Sequence, residues 1–268
     1  MTAPGTQTST VPRMPAVVVP LGREPVSRAE VAISLVLGLL SLAWLTVEIG
    51  DLDRNRELLT GAVGEDFFVL RDAAASWLSG GPFYHPAQLE GPYAWPGPWV
   101  LYPPPVLVLL VPFVWLPPAL WWAVPIGVIA WVVAGHRPRP LAVAVIVFCL
   151  ANPSVHAVVL WGNPTMWVAA AVALGTRFGW PSTLVLLKPS LLPFAVVGIR
   201  HRSWWLAMAG LGLVSLALLP MWPDYLAVVA NARPDGDGGV FYSLPHVPGM
   251  LIPLAAWAGR RAGPPKTN

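Results

Sequence analysis

Charge is scarce in this chain: Asp, Glu, Lys and Arg make up 11% of its 268 residues, against 56% hydrophobic residues. A single cysteine, Cys149, excludes an internal disulfide and a cysteine metal site, and its apolar surroundings mark it as a small buried residue. Lys188 is the sole lysine before residue 266, and no Lys/Arg run offers a nucleic-acid patch. A Gly-rich nucleotide cradle, a GxSxG elbow and an HExxH pair are all missing, so nucleotide-sugar chemistry has no motif to rest on. No metal or other cofactor is expected.

Apolar length is what the chain has in abundance. Mean hydropathy is +0.62, there are 15 Trp, and continuous apolar runs of membrane-spanning length recur, which reads as an integral membrane protein. Because the runs do not alternate, a β-barrel is excluded. The expected fold is all-α: one polytopic bundle of about seven or eight membrane segments over residues 29–262. Cytosolic tails at 1–28 and 263–268 flank it. The run Val31 to Val47 reads as an uncleaved signal anchor whose C-terminal end faces outward.

Further runs lie at about Val106 to Leu116, Ala119 to Ala134, Leu141 to Leu160, Met166 to Leu174, Pro181 to Ile199, Trp204 to Trp222 and Val247 to Ala258. Arg137 with Arg139, Arg177, Arg200 with Arg202, and Arg260 with Arg261 all become cytosolic under two conditions. Residues 101–134 must cross once, broken at Pro117-Pro118, and residues 180–200 must enter and leave from one side, bent at Lys188-Pro189. The alternative of eight simple crossings places Arg137 and Arg139 outside, against the charge bias. Many of the 32 prolines sit in or beside apolar runs, where each removes a backbone donor, so broken helices lining a cavity are expected.

Eight of the 13 acidic residues fall between Glu48 and Trp99, in a segment expected to form an outer loop. Polar groups are few, so charge gathered in one loop is the first place to look for chemistry. Phe67, Leu70, Ala74, Trp77 and Leu78 recur at helical spacing, which predicts a helix over Asp66 to Ser79, ended by Gly80-Gly81 and lying flat on the outer leaflet. Asp66 falls at its start, where the helix dipole favours an ionised carboxylate. It reads either as a helix-end residue or as a general base.

Lys188 lies inside LVLLKPSLLPF, where a charge costs roughly 2.5–3.5 kcal/mol and calls for a partner. A phosphate would supply one, with Ser190 adding a hydroxyl; a snorkelling or carboxylate-paired lysine is the other reading. Arg71 and His85 are further phosphate or sugar candidates. Tyr84, Tyr93, Trp95, Trp99 and Tyr102 read chiefly as interfacial anchors, with stacking on a sugar or lipid chain as the alternative. Asn152, His156, Trp161, Gly162 and Asn163 bring polar groups to the level of the loop, His156 as a phosphate or sugar ligand or as a satisfied core histidine. The last outer loop carries Asp224, Asp235, Asp237 and His246; its Asp-Gly-Asp-Gly-Gly stretch lacks calcium-loop spacing and reads as a flexible turn.

DFFVLRDAAASWLSGGPFYHP, a Tyr-Pro-Pro, WGNPT, and LLKPSLLP followed by RHRSWW together resemble glycosyltransferase family 87 of the GT-C superfamily, over about residues 60–205 with an echo at FYSLPHVPGML. Departures are Leu70, where that family favours Tyr, Gly162-Asn163, where Gly-Gln-x-Asn is usual, and a shorter chain. The resemblance implies an inverting enzyme of a bacterial cytoplasmic membrane. Its donor would be a polyprenyl-phosphate sugar, often mannose, and its acceptor a lipid or glycan on the outer face. Asp66 would be the base, with Lys188, Arg71, Tyr84, His85, Tyr102, His156, Asn163, Ser190 and His246 toward the substrates. Two other readings stay open: a transporter or flippase of an anionic lipid, which broken helices and a midmembrane lysine also suit, and an inactive scaffold.

Overall fold

The computed structural model describes residues 27–54, 63–95, 97, 99–234 and 244–260. The expected tail at 1–28, save residues 27 and 28, the whole of the tail at 263–268 and the Asp235-Gly236-Asp237 turn lie outside the described residues. The chain is mostly helical. It starts with α1 (Arg28–Arg54), which runs past the expected end at Val47, and continues with α2 (Glu65–Leu78) and the single turn α3 (Pro86–Glu90). After α4 (Leu107–Leu110), held between 3-10 turns at Pro104–Val106 and Val111–Val114, come α5 (Ala119–His136), α6 (Pro140–Leu150), α7 (Pro153–Leu160) and α8 (Thr165–Phe178). Two 3-10 segments, Trp180–Leu187 and Pro189–Gly198, lead to α9 (Arg202–Ala217), α10 (Trp222–Asn231) and α11 (Val247–Ala258).

Helices α1 and α5 are long and apolar enough to cross a membrane, and up to four spans result if each bent pair counts as one. The pairs are α6 with α7, bent by 60°, and α9 with the segment Leu219–Asn231, bent by 69°. Asn152-Pro153 makes the first bend inside what reads in sequence as one uninterrupted run. Leu39, Leu42, Leu206, Leu213 and Leu216 are exposed on the outside of these helices, a surface suited to hydrocarbon.

The centre of the bundle is α8, which buries Thr165, Met166, Val168 to Ala173 and Gly175. Its alanines and glycine admit close neighbours: a Cβ on Gly175 would stand 2.7 Å from that of Ser182. α5 and α11 pack on it, and α6 on α11. α5 and α8 run the same way, since Trp122 at the start of α5 bonds the carbonyl of Val159 while Arg177 near the end of α8 stacks 4.4 Å from the Trp131 ring. Residues 104–116 stay at the starting level, with Tyr102 beside Asn163 and Phe113 against Trp121, so residues 101–136 traverse the bundle once.

Trp180–Leu187 and Pro189–Gly198 form a hairpin. Ser182 Oγ donates to Ala195 O at 3.0 Å and accepts from Gly198 N at 3.2 Å, which returns the second half to the level where the first began. Each half spans only about 16–20 Å at the 3-10 rise, well short of a hydrocarbon core. Lys188 is the extended residue at the tip, with φ −130° and ψ 84°.

Over the end of the bundle marked by Asn163 sits a cap that sequence periodicity leaves as two loops. Strand β1 (Tyr93–Trp95) pairs in parallel with β2 (Ala232–Pro234), a two-stranded addition to the mostly helical fold of the described residues. Tyr93 donates to Val228 O at 2.9 Å, and Asn231 Nδ2 donates to the carbonyls of Gln88 and Leu89, so the first and last loops close on each other. The apolar face of α2 packs on protein, with Phe67, Leu70 and Ala74 buried, while Phe68 and Leu78 stay exposed.

Candidate functional site

The position of α2 follows from a helix-end exchange. The first amides of a helix lack internal acceptors and the last carbonyls lack donors. Here Gly64 N donates to Leu160 O at 2.8 Å, and Asp66 N and Phe67 N donate to Trp161 O, so the start of α2 is satisfied by the end of α7. The turn between them must be tight. Gly162 has φ +68°, and a Cβ there would meet Trp122 and the Cβ of Phe67 at 2.8 and 2.9 Å, so glycine is required on both conformational and steric grounds. Phe67 is fully buried against Trp121 and Trp122, and Trp121 Nε1 donates to Gly162 O at 2.7 Å.

That docking aims the Asp66 side chain at Asn163. Nδ2 of Asn163 donates to Asp66 Oδ2 at 2.6 Å, while Asn163 Oδ1 accepts from Lys188 Nζ at 3.1 Å, Thr165 Oγ1 at 2.6 Å and Thr165 N at 3.0 Å. Lys188 Nζ also donates to Thr165 Oγ1 at 2.6 Å. One amide thus bridges a carboxylate and an ammonium that form no direct ion pair, its donor toward the anion and its acceptor toward the cation. Tyr102 borders the bridge, its ring centroid 5.6 Å from Lys188 Nζ, and its backbone carbonyl accepts from Tyr84 at 2.9 Å.

Asp66 is half-buried. Burial raises its carboxyl above the ordinary carboxylate value, outweighing the Asn163 hydrogen bond and the Lys188 charge that act the other way. The helix-end position favours the ionised form, while the loss of water on docking into the fold pulls the carboxyl the other way. A carboxylate with a raised pKa is a better proton acceptor than an exposed one. Burial likewise pushes the Tyr84 phenol up, keeping it a neutral donor.

Lys188 opens on a cavity of about 190 Å³, otherwise lined mainly by apolar groups including Val106, Leu109, Trp167 and Leu187. An ammonium has three donors, and Asn163 and Thr165 accept from it here. Trp167 Nε1 is buried and has no partner among the described residues. An apolar chamber with unspent N–H groups suits a ligand that is oily along its length and anionic at one end.

Other expected site residues are placed elsewhere. Arg71 pairs with Asp72 at 2.8 Å and stacks over the Phe67 and Phe68 rings. His85 caps α3, its Nδ1 accepting from Ala87 N while Gln88 Oε1 accepts from His85 N. Tyr84 and Tyr93 are buried and hydrogen-bonded within the cap, not interfacial anchors. His156 lies on α7, before the Trp161–Asn163 turn, and Ser190 in the first turn after Lys188. Asp224 lies in the first turn of α10. His246 precedes α11, within electrostatic reach of Lys188. Thr165 and Trp167 were not anticipated; the Asn-Pro-Thr string, a helix-start signal, was the available clue to Thr165. Among the described residues no group of three or more His, Cys, Asp or Glu could hold a metal ion. Comparison with family models, with curated proteins and with solved structures finds no match.

Proposed function

We propose that this chain is a membrane glycosyltransferase that moves a hexose, mannose or similar, from a polyprenyl-phosphate donor to a lipid or glycan acceptor. Its fold would be a GT-C-like bundle of seven or eight membrane segments, with the site on the outer face of a bacterial cytoplasmic membrane. The observation that carries the reading is the Asp66–Asn163–Lys188 bridge beside an oily cavity. The acceptor oxygen attacks the anomeric carbon and forms the new glycosidic bond. The anomeric C–O bond to phosphate breaks, polyprenyl phosphate leaves with the electron pair, and the acceptor proton passes to Asp66. Lys188 and Trp167 Nε1 meet the phosphate oxygens, where charge accumulates and stabilisation is worth most. Asn163 holds the two charges apart, so neither neutralises the other before substrate arrives.

The test is transfer of radiolabelled mannose from decaprenyl-phosphate mannose to envelope lipid or glycan extracts in proteoliposomes. Wild-type transfer that Asp66→Asn abolishes is the expected result. Transfer surviving in that variant removes the base assignment, and absence of transfer from every polyprenyl-phosphate sugar removes the function. A second reading, movement of an anionic lipid across the bilayer, draws on one observation, the backbone break at Lys188 inside a short hairpin. Dithionite protection of a fluorescent polyprenyl phosphate separates the two, since translocation without sugar transfer selects the transporter.

A further inference from the structure

No Asp or Glu occurs between Glu90 and Asp224 or after Asp237, so the segments that build the end of the bundle opposite Asn163 contain no carboxylate. They do contain arginine. Helices α5 and α8 finish there at His136 and Phe178, Arg139 N donates to Gly259 O at 2.9 Å, and Ser203 Oγ donates to Phe178 O at 3.1 Å. Arg137, Arg139, Arg177, Arg200, Arg202 and Arg260 are thereby gathered, all exposed, at one end, while Asp66, Asp72, Glu90 and Asp224 belong to the cap at the other. One of these arginines has a built seat. The Arg177 guanidinium lies 4.4 Å from the centre of the Trp131 ring, and Gly135, one turn further along α5, leaves it room: a Cβ there would stand 3.4 Å from Arg177 Nη1. Phe178 extends the surface, its ring 6.5 Å from that of Trp131 and inclined by 15°. His136 and Thr176, 3.0 Å apart, tie the last turns of α5 and α8 together beneath it. Trp131 and Phe178 are 51% and 46% exposed, so the cation is held against the outer wall of a helix long enough to span a membrane. Trp131 stands about 7 Å before the end of α5, the depth at which hydrocarbon gives way to headgroups. Stacking uses the face of the guanidinium and leaves its edge N–H groups, which take no hydrogen bond or ion pair among the described residues. Arg137 follows on α5 with φ +50°, a left-handed turn that glycine or asparagine would hold more easily, and adds a second cation.

We propose that this end of the bundle binds an anionic phospholipid, its headgroup phosphodiester on the free edge of Arg177 and its first chain carbons against Trp131 and Phe178. A phosphodiester matches the guanidinium fork with two parallel N–H···O bonds. A lipid is favoured over nucleic acid or an acidic peptide because the seat is an apolar wall that faces sideways: a partner arriving from water meets the helix ends, whereas a lipid reaches Trp131 from within the bilayer. The other arginines, with no carboxylate among the segments that carry them, raise the local concentration of negatively charged headgroups. The site lies across the bundle from Lys188 and stands whether or not the chain transfers sugar.

The probe is dioleoyl phosphatidylglycerol, added to the full chain in nonionic detergent and read as bound adducts by native mass spectrometry, with dioleoyl phosphatidylcholine as the zwitterionic control. Wild type should retain phosphatidylglycerol at least about tenfold over phosphatidylcholine. Arg177→Gln, which loses both charge and fork, should bring retention down to the phosphatidylcholine level. The control variant is Arg260→Gln: Arg260 also stacks on an indole, Trp257, but its Nη1 is spent on Trp257 O at 2.8 Å. Its loss should cost no more than about fivefold, the worth of one arginine near a charged surface. Arg177→Lys keeps the charge, guards against misfolding of the glutamine variant, and should stay at least about threefold below wild type because the planar fork is gone. Equal losses in Arg177→Gln and Arg260→Gln, full retention in Arg177→Lys, or equal retention of the two lipids by wild type overturns the site. Displacement of the adducts by glycerol 3-phosphate or by a short RNA overturns the lipid as its occupant.

Discussion

Two turns in this molecule are written almost alike and do different work. Asn152-Pro153-Ser154 and Asn163-Pro164-Thr165 both start a helix, with the Asn Oδ1 accepting from the backbone N–H two residues on, at 2.9 and 3.0 Å. Proline follows each, where its missing N–H is harmless and its φ is set for a helix. At Asn152 the result is the cap of α7. At Asn163 the same cap is made, and the amide also receives Lys188 and holds Asp66. What separates the two is the company tertiary structure brings: α2 docks on the Trp161 carbonyl and the hairpin tip arrives with a cation. A local motif specifies a cap; a site needs elements distant in the chain, 97 residues apart for Asp66 and 25 for Lys188.

The comparison breaks most severely at the groups only Asn163 gathers. On the transferase reading, Asp66→Asn leaves shape and hydrogen-bond reach but removes the proposed proton acceptor, and mannose transfer should fall by about 10²–10⁴-fold at unchanged expression. Lys188→Met keeps the stem and deletes the charge. Its kcat/KM for the polyprenyl donor should drop about 10²–10³-fold in initial-rate assays, with the loss tracking donor and not acceptor.

The turns themselves come next. Asn152→Ala should cost about 1 kcal/mol, the worth of a cap, visible as a lowered midpoint in thermal unfolding with transfer intact. Asn163→Ala loses the same cap and also leaves a half-buried carboxylate and a buried lysine without their bridge, so its destabilisation should exceed that of Asn152→Ala by about 1–3 kcal/mol. Equal effects in the two variants would mean that the bridge adds nothing to the cap.

The smallest effect is on pH dependence. Asp66 binds its proton more tightly in the folded chain than in the unfolded one, so its contribution to stability grows as pH falls through the raised folded value toward the ordinary one, and at neutral pH it opposes folding. Denaturation midpoints at neutral pH and near the ordinary carboxylate value should therefore lie closer together in Asp66→Asn than in wild type. The acid limb of the transfer rate should sit above the ordinary carboxylate value of about 4. A limb at or below that value would show that Asp66 is not the titrating base.

Several features were legible in the chain because they depend on neighbours in sequence. The helix over Glu65–Leu78 and its end at Gly80, with φ +84°, follow from spacing and from glycine. The bend at Lys188 follows from Lys-Pro between short apolar halves. His85 shows the opposite case: a polar residue in a charged loop is a ligand candidate by composition, yet its ring spends a nitrogen on the amide two residues ahead. The cap formed by β1, β2 and α10 gave no periodic signal, since strands of three residues are too short for alternation to register.

What the residues fixed without help from the fold was solvent preference and local shape: 56% hydrophobic composition, proline breaks, glycine stops and Asn-Pro starts act over a few residues and do not require distant partners. What only the folded chain decided was which of the scarce polar groups meet. Tyr84 and Asp66 entered the protein, Arg71 turned to Asp72, Thr165 accepted a bond from Lys188, and Trp167 joined Lys188 at a cavity. The reason is that burial and hydrogen-bond completion are properties of the packed whole: an amide between two opposite charges exists only once three separate segments have paired their unsatisfied groups.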